Sequence, residues 1–139
     1  METNLENGGD RLSDETRGKL KDLSKALLRL HSTLLEAEKI KYEAANGKIG
    51  NPYQYLQLVL DDPHFAWLRK MSSLIALIDE AVSLRRPAAQ TEAQALRREA
   101  GELLDFENAD EDFNERFQIA LQNNADAVLH HNDARRLTK

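Results

Sequence analysis

A chain of 139 residues, 41% apolar and 31% charged, is long enough for one ordinary core and reads as globular rather than disordered or membrane-embedded. The absence of cysteine removes disulfides, thiolate nucleophiles and thiolate metal sites together. The net charge of −5 arises in residues 101–139, which carry nine acidic and four basic side chains, and this excess repels phosphate backbones and anionic lipid, so neither nucleic acid nor membrane is expected as a partner.

The first twelve residues, "METNLENGGDRL", are polar, contain Gly8 and Gly9, and read as a flexible lead-in (1–12) without the basic start and apolar stretch of a secretory signal. The cytoplasm is therefore the expected compartment. Ser13 suits an N-cap, with Asp14 and Glu15 in the positive first turn. Leu20, Leu23, Leu27, Leu30, Leu34 and Ala37 then recur at spacings of three and four, one face of a long helix that Leu35 and Ile40 widen. Asn46-Gly47 ends it after about 45–50 Å at roughly 1.5 Å per residue.

Asn51-Pro52 opens a short helix whose buried face is expected at Leu56 and Leu60. Asp61-Asp62-Pro63 repeats the device, since proline holds Asp62 extended and its carboxylate can take free backbone N–H groups. The helix that follows carries Trp67, Leu68, Met71, Leu74, Ile75, Ile78 and Val82, a face broad enough for two neighbours, and is expected to be the central one. Arg85-Arg86 and Pro87 stop it. Thr91 and Gln94 form a capping-box pattern for a stripe of Ala93, Leu96, Ala100, Leu103 and Leu104. "DFENADED" reads as a break, with Asn108 or Asp110 opening a last helix through Phe113, Phe117, Ala120, Leu121 and Val128. Whether 91–131 is one helix or two stays open, and "HHNDARRLTK" reads as a fraying polar tail. The expected fold is an all-α, four-helix-bundle-like single domain over 13–131 with one extra short helix, followed by a polar tail at 132–139.

The candidate sites cluster in "DDPHFAWLRK". Asp61, Asp62 and His64 beside the only tryptophan form a possible acid–base or metal set, because carboxylate and imidazole held close move protons. The plainer account makes the aspartates caps, Phe65, Trp67 and Leu68 core, and Arg69 and Lys70 solvated, and it explains nearly every residue. Tyr53 and Tyr55, two apart on a helix, point to different sides, so at least one is exposed near the Trp67 helix start. Tyr53, Tyr55, His64 and Trp67 thus form the candidate interaction or ligand surface.

Elsewhere, His31 sits beside the leucine seam and His130-His131 at a terminus, and no histidine has glutamate three positions before it as a di-iron bundle requires. "NADEDFNE" begins like a calcium loop, but its sixth position is Phe113 instead of glycine and its twelfth is Ile119 instead of glutamate. Phosphate loops, dinucleotide fingerprints and nucleophile elbows are lacking, and no cofactor follows from any motif.

The run "YQYLQLVLDDPHFAWLRKMSSLIALIDEA", Tyr53 to Ala81, resembles a segment of a family of small, uncharacterised bacterial helical proteins, with weaker likeness in "LLRLHSTLLEAEKIKYE". The resemblance implies a bacterial source and an all-helical fold, and it carries over no functional residue. The expected function is a non-enzymatic helical module acting through contacts with a protein partner or as a homodimer. The alternatives are a ligand- or metal-binding bundle with a cavity near Trp67, His64 and Tyr53, and an enzyme built on Asp61, Asp62 and His64.

Overall fold

The computed structural model describes residues 10–139. The chain is all-α, with helices α1 (Asp14–Asn46), α2 (Pro52–Asp61), α3 (Arg69–Ala81), α4 (Gln90–Leu104), α5 (Glu111–Gln122) and α6 (Ala125–Leu137). A 3-10 segment, Pro63–Leu68, joins α2 to α3. No helix of the described residues is long and apolar enough to cross a membrane.

The leucine seam forms as its spacing requires from Leu20 to Leu34, whereas Ile40, expected to widen it, is exposed. Leu20, Leu23, Leu27, Leu30 and Leu34 are all sealed from solvent, and Ala26 joins them to make the face wider than one stripe. That width lets α1 touch α6, α3, α4 and the 3-10 segment, with α6 its most extensive neighbour. The central helix is therefore α1, not α3. Helix α3 contributes Met71, Leu74, Ile75 and Ile78 to the same core, and α5 adds Phe113 and Phe117.

Helix ends follow local chemistry where a cap lies nearby. The Ser13 hydroxyl accepts from the Thr16 N–H at 3.1 Å, and Gly47, at φ 88°, lets the α1 terminus close onto Glu43 O. Asp110, not Asn108, caps α5 by accepting from Phe113 N–H at 3.0 Å. The capping box at Thr91 does not form. Helix α4 starts at Gln90, and its first N–H groups are taken by the Asp10 carbonyl (2.9 Å) and carboxylate (3.2 Å to Thr91 N). Residues 10–12 therefore belong to the packed fold, with Leu12 buried, while the rest of the expected lead-in, 1–9, lies outside the described residues.

The region 91–131 contains parts of three helices. Helix α4 ends in a Schellman arrangement, with Glu107 N–H donating to Glu102 O at 2.8 Å and Phe106 N–H to Leu103 O. The left-handed position usually given to glycine is held by Phe106 at φ 60°. Its ring packs on Phe117 (5.3 Å between centroids) and His131 (5.6 Å), which ties the strained residue into the core. A second break falls at Asn123-Asn124, where Asn124 turns extended and its side chain accepts from Ala127 N–H, so the expected last helix is split into α5 and α6.

The C-terminal stretch is not a frayed tail. Helix α6 runs to Leu137 with Ala127, His131 and Ala134 buried, and Arg97 of α4 donates to the carbonyls of Leu137 (3.2 Å) and Lys139 (2.6 Å). Asp105 binds Arg135 at 2.7 Å and Lys139 at 3.2 Å. Burial alone would raise the Asp105 carboxyl, but hydrogen bonds and charge from these two cations outweigh it and hold it below the usual value. The His131 ring lies 2.7 Å from Leu104 O, so Nε2 carries the hydrogen and donates.

Burial lowers the pKa of His131, and of His31, below the ordinary 6.5; at His131 the nearby Arg135 adds to this, while the Leu104 bond and Asp105 oppose it. A folded-state value below the unfolded one means that stability is fully present above pH 6.5 and falls as the unfolded chain takes up protons first. Denaturant titrations carried from above pH 6.5 to well below it should show stability declining, and His131→Gln should decline less steeply. Equal slopes for the two proteins would contradict this role for His131.

Candidate functional site

The residues singled out in the sequence meet where α1, α2 and the 3-10 segment join. Asn51 caps α2 by accepting from Gln54 N–H at 2.8 Å, with Pro52 in the first turn. Eleven residues after Asn51, Asp62 serves two ends at once. Its N–H closes α2 onto Leu58 O, and its carboxylate starts the 3-10 segment by accepting from His64 N–H at 2.8 Å. Arg69 then reaches back to the carbonyls of Asp62 (3.2 Å) and Val59 (3.4 Å), placing a cation at the negative end of α2.

Asp61 and Asp62 are not brought to the His64 ring. Its partner is Glu38, on α1. His64 Nε2 lies 2.9 Å from the Glu38 backbone oxygen and 2.9 Å from its carboxylate Oε2. Both are acceptors, so Nε2 bears the hydrogen. Glu38 is itself buried, and the Lys41 ammonium lies 3.7 Å from its carboxylate. The ring of Tyr42 packs against both His64 (5.6 Å) and the fully buried Phe65 (5.7 Å). The register of the leucine seam held the signal for Glu38, because the position four after Leu34 faces inward and a carboxylate there requires a partner.

The two tyrosines separate as their spacing demands. Tyr55 turns inward, its ring edge-on to Phe65 at 6.2 Å and under the Lys39 ammonium at 5.1 Å. Burial, followed by the charges of Glu36 and Glu43, raises its pKa and keeps it a neutral phenol. Tyr53 faces solvent. Trp67 is buried, with Phe113 as its aromatic neighbour at 5.8 Å, so it does not share a ligand wall with Tyr53. Leu56 and Leu60, expected to be buried, are exposed, and Leu58 and Val59 turn towards the protein instead. The cause is that α2 docks through Tyr55 and the Arg69 bonds, which fixes its rotation.

Chemically, the Glu38–His64 pair can orient an imidazole and hold its hydrogen, but no nucleophile accompanies it in these contacts. Among the described residues no group of three or more histidine, aspartate or glutamate side chains is placed to hold a metal. The residues of the apparent calcium loop are used locally, Asp110 as a cap, Asn108 bound to Asn114, and Asp112 paired with Arg116 at 3.0 Å. The geometry accounts for the pair as a clamp that fastens the 3-10 segment, and through it α2, to the far half of α1. No family model, curated protein or solved structure matches the chain.

Two outcomes follow. Trp67→Ala should cost about 3–5 kcal/mol and sharply lower the melting temperature, as removal of a buried aromatic does. A loss below about 1 kcal/mol would instead place Trp67 outside the core. In a double-mutant cycle of Glu38→Ala and His64→Ala, unfolding free energies should be non-additive by about 1 kcal/mol or more, and strict additivity would contradict the clamp.

Proposed function

We propose that this protein is a non-enzymatic helical interaction module whose contact element is α2. One observation carries the reading. Helix α2 contains no buried residue, yet Tyr53, Leu56 and Leu60 lie on one stripe and are 72%, 53% and 55% exposed. Positions i, i+3 and i+7 fall within about a 60° arc of a helix, which is the pattern an amphipathic helix uses to anchor in a partner's apolar groove.

The other side of α2 supports this role. Tyr55, the Asp62 turn and the Arg69 bonds hold the helix against the bundle, so its ordering cost is met before any partner arrives. Leucine is a costly residue to leave in water, and two of them beside a tyrosine on a short helix concentrate apolar surface on one face. The partner class that fits is a protein with a hydrophobic groove about three turns long. Catalysis is not needed to explain any residue of this junction.

The test is a photo-crosslinking amino acid placed at Leu56 in cells. A discrete adduct with another polypeptide, abolished by Leu60→Glu, is the expected result. Because both positions are exposed, Leu60→Glu should change stability by no more than about 0.5 kcal/mol, so loss of the adduct is not loss of fold. No adduct at Leu56, or one indifferent to Leu60→Glu, would overturn the proposal.

A further inference from the structure

A second surface lies away from α2. Between α3 and α4 runs an open groove in two joined parts that share Leu77 and Glu99, with volumes of about 480 and 310 Å³. Its floor is apolar, formed by Leu77, Ala81 and Leu96, and Leu77 is 49% exposed there. Glu80, Glu92, Glu99 and Glu102 stand along it, exposed and without an ion-pair partner among the described residues. Two cations also line it. Arg86 sits in one part, and Lys70, in the other, lies 3.8 Å from Asp110. The carboxylates thus outnumber the cations two to one, and one cation is already engaged.

The complement of this groove is present on the same chain. The solvent side of α1 carries Lys21, Lys25 and Arg29 at intervals of four, all exposed and none in an ion pair among the described residues. Leu28, 53% exposed, stands beside Arg29 on that side, and Asp22 is the acidic residue among them. From Lys21 to Arg29 the helix rises about 12 Å, and from Glu92 to Glu102 about 15 Å, so the two charge rows are of similar length. Alternating acidic and basic rows that flank an apolar contact set both register and partner choice between helices.

We propose that copies of this chain associate head to tail, the Lys21–Lys25–Arg29 face of α1 in one copy seated on the Glu-lined α3–α4 groove of the next. Leu28 enters the groove over Leu77. The contact joins two different surfaces, so it is heterologous and can pass from one copy to the next. A basic face that meets its own acidic groove also discourages nucleic acid, which would leave the carboxylates opposed to phosphate. This contact uses none of the α2 stripe, so it and the interaction role of α2 fail independently.

The test is sedimentation of three purified full-length proteins. The first is the natural chain. The second is Lys21→Glu/Lys25→Glu/Arg29→Glu. The third is Glu80→Lys/Glu99→Lys/Glu102→Lys, which spares Glu92 because it stabilises the positive start of α4. All six positions are exposed, and helical circular dichroism confirms that each variant is folded. The natural chain should self-associate at low salt, and the association should weaken about tenfold or more as ionic strength approaches 1 M, where the screening length falls to about 3 Å. Each variant alone should be monomeric, since its face and groove carry like charge. An equimolar mixture of the two should recover association in equal proportion, because each face again meets a groove of opposite charge. A natural chain that stays monomeric at low salt, a variant that self-associates alone, or a mixture that does not associate would each overturn the proposal.

Discussion

Everything in this fold leans on the inward face of α1. Five leucines from Leu20 to Leu34 are sealed from water, and at about 2 kcal/mol for each buried leucine side chain they supply a large share of the driving force for assembly. Because that face is broad, α3, α4 and α6 can share it, which places them around α1 and leaves the helix's other side to solvent. Past Leu34 the apolar supply on the seam runs out and Glu38 takes the inward position. The change from leucine to carboxylate marks the end of the bundle proper and the start of the junction with α2.

At that junction polar chemistry replaces burial as the means of attachment. His64 binds Glu38 twice, Asp62 caps one element while closing another, and Arg69 gathers the carbonyls at the end of α2. A helix fastened by directed bonds on one side does not need its apolar residues for docking. This is why Leu56 and Leu60 remain outside, and why an exposed apolar stripe here is compatible with a well-packed protein. The same logic of distant polar partners recurs at the opposite end, where Asp10 starts α4 and Arg97 with Asp105 fixes the end of α6.

The parts legible in the sequence were those governed by neighbours in the chain. The seam, the caps at Ser13 and Asn51, the stop at Gly47 and the double aspartate at the 3-10 start all follow from residues within a few positions. What escaped reading depends on distant groups. Thr91 resembles a cap, but Asp10 arrives from 81 residues away and takes its N–H. Phe106 occupies a left-handed turn where glycine is expected, because Phe117 and His131 surround its ring. The face of α2 was misassigned because leucine periodicity alone does not say on which side Tyr55 and Arg69 will dock a short helix. At the candidate site, Asp62 and Trp67 occupy the structural positions that the plainer account gave them. The inward place of Glu38 was legible from the seam, but its partner His64, 26 residues away, was not.

These constraints converge on one physical claim, that α2 is a preformed helix held by its inner side and displayed by its outer side. Amide hydrogen exchange of the isolated protein tests it most directly. The account predicts that the amides of Leu58 to Asp61 are protected in the natural chain and lose that protection in His64→Ala, while those of Leu23 to Leu34 stay slow in both. Exchange at unstructured rates throughout α2 in the natural chain would contradict it, since a helix that is not already formed displays no stripe.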